Sequence, residues 1–228
     1  MQSPSEIVLP VAVGERYSPH PLVDDPESLS LETSRIRTSL GPVTVRHGRR
    51  AGPAATILLH GAAGSWTTWT PFIRAADLAG AHPLADLIVP DLPGWGDSPA
   101  PDDDAAAGIE SLAAAVAQIA RTLGYERWRV VGHSLGGFVA LELAASQPDR
   151  TTEVGLVSAT TYSVIDSAAH PLTRFGALPG FTALLGVMRT LAKLPAGGLG
   201  LVNATYRLGL LRALVAPLFG NPTRIDPS

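Results

Sequence analysis

The chain has 228 residues, enough for one sizeable core or for a core carrying an inserted lobe. At 46% hydrophobic and 16% charged residues it is globular in composition, and a net charge of -3 gives no basic footprint for nucleic acid. It has no cysteine, which excludes disulfides, thiol nucleophiles and cysteine-ligated metals.

The opening stretch MQSPSEIVLPVAV lacks a positive leading region and carries Glu6 in its short apolar run. It does not read as a signal peptide, so the cytoplasm is the expected compartment. No run of about 18 apolar residues occurs, so neither a transmembrane helix nor a membrane partner is expected. Residues 1–30 are rich in Pro, Ser and acids and read as an irregular N-terminal arm. Residues 35–47 predict two short strands joined at Gly41-Pro42. A β-rich run at 56–59 stops at His60-Gly61, and 69–78 has helical character. Residues 87–89 form another short apolar run, followed by the loop sequence LPGWGDSPAP.

Ile109, Leu112, Val116, Ile119 and Leu123 recur at spacings of three and four, which predicts a helix that Gly124 stops. A strand at 128–131, a helix at 135–146 ended by Pro148 and a strand at 154–157 follow. Short apolar strands alternating with helices predict a mostly parallel sheet with helices on both faces. Beyond residue 165 no strand is evident. Phe181, Leu184, Leu185, Met188 and Leu191 form a helical stripe, and 199–219 is apolar and helix-like.

Between the last two strands the chain reads VVGHSLGG, and Gly132-His133-Ser134-Leu135-Gly136 fits G-x-S-x-G. In that pattern the serine occupies a strained strand-to-helix turn with its hydroxyl projecting from the sheet, and the flanking glycines keep side chains out of the turn. Such a match also arises by chance in a chain with 23 Gly, but here a strand precedes Ser134 and a helix follows it. The helix N-terminus leaves the N–H of Leu135 free to face an oxyanion. A second donor should come from an earlier strand-to-loop turn, and His60-Gly61-Ala62-Ala63-Gly64 stands there. Ala62 N–H is the candidate, against the alternative that this is a plain tight turn.

In order, LLHGAAGSW, VPDLPGWGDS and VVGHSLGG resemble the α/β-hydrolase superfamily, over about residues 35–160 and more loosely beyond. The resemblance implies a mostly parallel eight-stranded sheet, with a helical cap often inserted after the sixth strand. On that mapping Ser134 is the nucleophile, Ala62 and Leu135 carry the oxyanion donors, 31–160 is the core with its first six strands and 161–228 starts a cap or lid. His60, Gly61, Gly132, His133 and Gly136 support the two motifs, the histidines as hydrogen-bonding groups and not as bases. Asp91, Gly94 and Gly96 match the loop after the fourth strand, where turn chemistry is the preferred reading.

The family order is nucleophile, acid, histidine, with the acid after the seventh strand and the histidine after the eighth. Neither strand is evident, so the resemblance implies a C-terminally incomplete chain that by itself is inactive or weakly active. Asp166 and His170 keep the order Ser, Asp, His and are four residues apart, but both fall in a segment where the family places neither partner. His20, His47 and His82 read as ordinary surface residues, and no metal-ligand spacing is present. Trp66 and Trp69 suit either a pocket mouth or the core, and the acidic run 102–104 suits a solvated loop.

The expected function is a serine hydrolase that transfers the acyl group of a small or medium, partly apolar carboxylic ester to water, with no cofactor and no metal. Hydrolysis of a C–C bond and acyl transfer to an alcohol are alternatives on the same scaffold. A non-catalytic chain that binds a ligand or partner is another. A membrane-surface helix over 181–219 is disfavoured, because Arg189, Lys193, Arg207 and Arg212 are too sparse for a basic face.

Overall fold

The computed structural model of the protein describes residues 20–80, 84–101 and 108–159. Residues 1–19 of the expected arm, His82, the acidic run 102–104 and the expected cap at 161–228 lie outside the described residues.

A hairpin forms one end of the sheet. Strands β1 (Leu31–Thr38) and β2 (Gly41–Gly48) pair antiparallel, from Leu31 opposite Gly48 to Thr38 opposite Gly41. The turn falls at Ser39-Leu40, two residues before the expected Gly41-Pro42. The Thr38 hydroxyl closes it by donating to Gly41 O (2.8 Å) and accepting from Leu40 N–H (3.1 Å). Pro42 is thus the second residue of β2, close to the strand start, where a missing N–H is tolerated. Within residues 20–30, Glu27–Leu29 form a 3-10 turn that seats Leu29 in the core.

Strands β3 (Ala54–Leu59), β4 (Leu87–Pro90), β5 (Arg127–His133) and β6 (Thr151–Val157) follow, with helices α1 (Thr70–Ala79), α2 (Ile109–Thr122) and α3 (Leu135–Ser146) between them. The sheet order is β1-β2-β4-β3-β5-β6. The pairings β4–β3, β3–β5 and β5–β6 are parallel, and the two involving β2 are antiparallel.

Side-chain alternation along the strands divides the core in two. Ala55, Ile57, Leu59, Ile88, Trp128 and Val130 face one side, with Leu112, Val116 and Ile119 of α2 and Val139 and Leu143 of α3. Leu58, Leu87 and Val89 face the other, with Trp66, Trp69 and Ile73 beside α1. The expected stripe of α2 is therefore its buried face, and each fully buried aliphatic side chain contributes about 1.5–3 kcal/mol. Past its end, Gly124 at φ +82° returns a Schellman closure: Gly124 N–H bonds Arg121 O and Tyr125 N–H bonds Ala120 O. At β6, by contrast with the inner strands, Val154, Leu156 and Val157 are exposed.

The connectivity fixes where a site belongs. From β3 the chain passes through α1 to β4 on one side, then through α2 to β5 on the opposite side of β3. The strand order reverses between β3 and β5, and ligands of open α/β sheets bind outside the carboxyl ends of strands at such a reversal. Leu59 is in register with Gly132, so the segments after both strands emerge at the same height.

Candidate active site

Between the end of β5 at His133 and the start of α3 at Leu135 stands a single residue, Ser134, at φ 51° and ψ -116°. A non-glycine residue in such a conformation carries on the order of 1–3 kcal/mol of strain and persists only where its surroundings impose it. Ser134 N–H donates to Val157 O at 3.1 Å, and Ser134 O accepts from Gly137 N–H at 3.0 Å. A Cβ on Gly132 would strike the Gly136 carbonyl, and one on Gly136 would strike the carbonyls of Leu59 and His60. The glycine spacing is therefore set by close packing of three backbones: the end of β5, the start of α3 and the end of β3.

The His60–Gly64 turn lies against this elbow. A Cβ on Gly61 would sit 2.9 Å from both His133 Nδ1 and Ser134 Cβ. The turn is closed by Gly64 N–H to Gly61 O at 3.1 Å, with Ala63 at φ 58°. Leu135 is the first residue of α3 and has no intrahelical acceptor. Among the described residues the N–H groups of Ala62 and Leu135 have no hydrogen-bond partner.

His60 is fully buried, and both ring nitrogens are engaged. Nε2 accepts Leu92 N–H at 2.9 Å, so Nδ1 carries the proton and donates to Gly61 O at 2.7 Å. Burial holds its pKa below the usual histidine value. The bond to Gly61 and the Asp91 charge oppose that shift, and His133 adds to it. A ring committed at both nitrogens is a strut and has no lone pair left to act as a base. His133 Nδ1 is buried without a partner among the described residues, and a Cβ on Gly61 would sit 2.9 Å from it.

Asp91, in the loop after β4, is also fully buried. Its carboxylate accepts Trp66 N–H at 2.7 Å, Asp97 N–H at 3.0 Å and Arg46 Nη1 at 2.5 Å. Arg46 also pairs with Asp97 and lies over the Trp66 ring, 5.0 Å from its centroid. A Cβ on Gly96 would collide with the Asp91 carboxyl group. Turn chemistry was the preferred reading of Asp91. The structure gives it a longer reach, because it ties the segment after His60–Gly64 to β2 and to its own loop.

The model of the α/β-hydrolase fold family matches residues 56–206, well over half of the chain. The chain belongs to the α/β-hydrolase family. This α/β-hydrolase chain is 38% identical over 120 residues to the dihydrolipoyllysine-residue acetyltransferase component of the acetoin cleaving system of Cupriavidus necator, covering 51% of this chain and 29% of that protein. It is 37% identical over 113 residues to a 2-hydroxy-6-oxononadienedioate/2-hydroxy-6-oxononatrienedioate hydrolase of Paraburkholderia phymatum, covering 49% of this chain and 38% of the relative. Among solved structures, it is similar to a mutant of the N-acyl homoserine lactonase AidH complexed with N-hexanoyl homoserine, at 27% identity and a TM-score of 0.50, covering 61% of this chain and 49% of that one. The chain spans less than half the length of these curated relatives.

Within the α/β-hydrolase frame, the structure brings together Ser134, Gly132, Gly136, His133, Gly61 and His60, with Ala62 and Leu135 beside them. Asp166 and His170 lie outside the described residues. Trp66 and Trp69 are core residues at 3% and 4% exposure. Trp69 also lines a recess of about 280 Å³ with Thr68, Pro71, Phe72, Val131, His133 and Val157, a lining that includes neither Ser134 nor the two free amides. Sequence reasoning missed Arg46. The available signal was an arginine in the apolar strand VTVRH, a position that demands a buried counter-charge. Among the described residues no helix is long and apolar enough to cross a membrane, and no cluster of three or more potential metal ligands occurs.

Proposed function

We propose that this chain carries the nucleophile and oxyanion site of a serine hydrolase acting on a small, partly apolar carboxylic ester in the cytoplasm. The observation that carries the reading is Ser134 at positive φ between β5 and α3, with the unpartnered N–H groups of Leu135 at the start of α3 and of Ala62 at the adjoining turn. Ser134 Oγ attacks the ester carbonyl carbon, and the oxygen that gains charge is received by those two amides. The alcohol leaves, and water then releases the acid from the acyl-Ser134. A base must take the hydroxyl proton. His60 is disqualified by its two hydrogen bonds, and Asp166 and His170, though in family order, fall where the family places neither partner, so the base is a histidine not identified among the residues of this chain.

The lactonase similarity supports an ester, since a lactone is an internal ester. The relative named as a 2-hydroxy-6-oxononadienedioate hydrolase supports a second reading, C–C bond hydrolysis, which uses the same nucleophile site and differs in the bond broken. Exposure of the chain to a fluorophosphonate, followed by peptide mass mapping, tests the shared step. An adduct on Ser134 that disappears in Ser134→Ala is expected. An untouched Ser134 overturns both readings. Products from a nitrophenyl ester and from a 1,5-diketone then separate the two.

A further inference from the structure

The β1–β2 hairpin carries a second serine with a histidine and a carboxylate in line. Glu32 lies directly opposite His47 in the register, and Ser34 is its diagonal neighbour on the same face. His47 Nε2 is 2.9 Å from Ser34 Oγ, and its Nδ1 is 3.4 Å from Glu32 Oε1. Serine therefore meets one ring nitrogen and the carboxylate the other, the order of contacts in a serine nucleophile relay. His47 had been read from sequence as an ordinary surface histidine. Instead its side chain is only 14% exposed and held between two partners, while the Glu32 side chain is 74% exposed. Three strand spacings and four residues of strand length separate His47 from Ser134, on the order of 20 Å, so this group is separate from the elbow.

We propose that Ser34 is a second reactive serine, assisted by His47 as general base and oriented through Glu32, that takes the acyl group of an activated ester. Ser34 Oγ bonds to the carbonyl carbon as the ester C–O bond breaks. The hydroxyl proton passes to His47 Nε2 and on to the departing alkoxide, which leaves as the alcohol. In the tautomer with the proton on Nδ1, facing the Glu32 carboxylate, the Nε2 lone pair faces Ser34. Ser34 sits within a strand, away from any helix N-terminus, so the acyl group is held and not turned over rapidly. A fluorophosphonate reports the same nucleophile: the Ser34 O–P bond forms, the P–F bond breaks, fluoride leaves and His47 receives the proton.

The test uses the full chain with Ser134→Ala, treated with p-nitrophenyl acetate or a fluorophosphonate and mapped by peptide mass. An adduct on Ser34 is expected, absent in Ser34→Ala, formed about tenfold or more slowly with His47→Gln and a few-fold more slowly with Glu32→Gln. The exposed Ser28 and Ser39 are internal references. No adduct at Ser34, or labelling no faster than Ser39, or a rate unaffected by His47→Gln, overturns the proposal. Glu32→Gln changes an exposed side chain and keeps the test valid if His47→Gln unfolds the hairpin, and circular dichroism reports which variants fold. Labelling of Ser134 in the Ser34→Ala chain is read separately, so failure at one serine leaves the other decidable.

Discussion

The Asp91 carboxylate holds the backbone N–H of Trp66 at 2.7 Å while its other oxygen holds Arg46 at 2.5 Å. Both side chains are buried, so the pair has little water to fall back on. Removing one partner of a buried ion pair leaves the other charge uncompensated and costs about 3–5 kcal/mol. Asp91→Asn should therefore lower stability by about 3 kcal/mol in urea titration, and slow phosphonylation of Ser134 as the 61–66 segment loosens. Asp97→Asn is the contrast. The Asp97 side chain is 66% exposed, and its loss should cost under about 1 kcal/mol. Equal costs for the two variants would remove Asp91 from its positioning role.

The elbow glycines make a sharper separation between structure and reactivity. Gly136→Ala places a methyl against the carbonyls of Leu59 and His60, so α3 must move away from β3. Overpacking of this kind costs about 1–3 kcal/mol. The displacement would carry Leu135 N–H away from Ala62 N–H, so Ser134 labelling should fall by tenfold or more. Gly124→Ala imposes a strain of about 1 kcal/mol at φ +82°, at the far end of α2. It should lower stability without changing Ser134 labelling. If both variants label alike, the amide pair is not what governs Ser134.

Much of this was legible because it depends on local sequence. The α2 stripe, the Gly124 stop and the Gly132–Gly136 spacing each express a short-range rule, and the elements appear within a few residues of expectation. What was not legible depends on cross-strand geometry. Arg46 meets Asp91 only because β2 is placed beside β4, and that adjacency crosses the β3 segment of the sequence. Ser34 meets His47 only once the hairpin register is set, and the register depends on Thr38 closing the turn two residues earlier than Gly41-Pro42 suggested. The proton acceptor that the proposed role of Ser134 requires was not legible either, since no histidine follows a recognisable seventh or eighth strand.

His60 gives a pH signature. Its pKa in the folded protein lies below the ordinary 6.5, chiefly through burial, with Gly61 and Asp91 opposing that and His133 adding to it. Below pH 6.5 the unfolded chain takes up a proton that the folded chain refuses, so the unfolded state binds more protons there. The contribution of His60 is therefore complete above pH 6.5 and is lost as the pH falls from there towards the folded value, below which the loss levels off. The measurement is the urea midpoint of wild type and His60→Gln at a series of pH values from 7.5 downwards. The variant should be less stable at pH 7.5, because it disturbs the bonds to Gly61 O and Leu92 N–H, and its stability should fall less steeply with acid. Comparing two curves cancels the carboxylates that titrate in both. Parallel curves through the whole range would mean that His60 is protonated as readily in the folded chain as in the unfolded one, and the neutral strut beneath the His60–Gly64 turn would have to be abandoned.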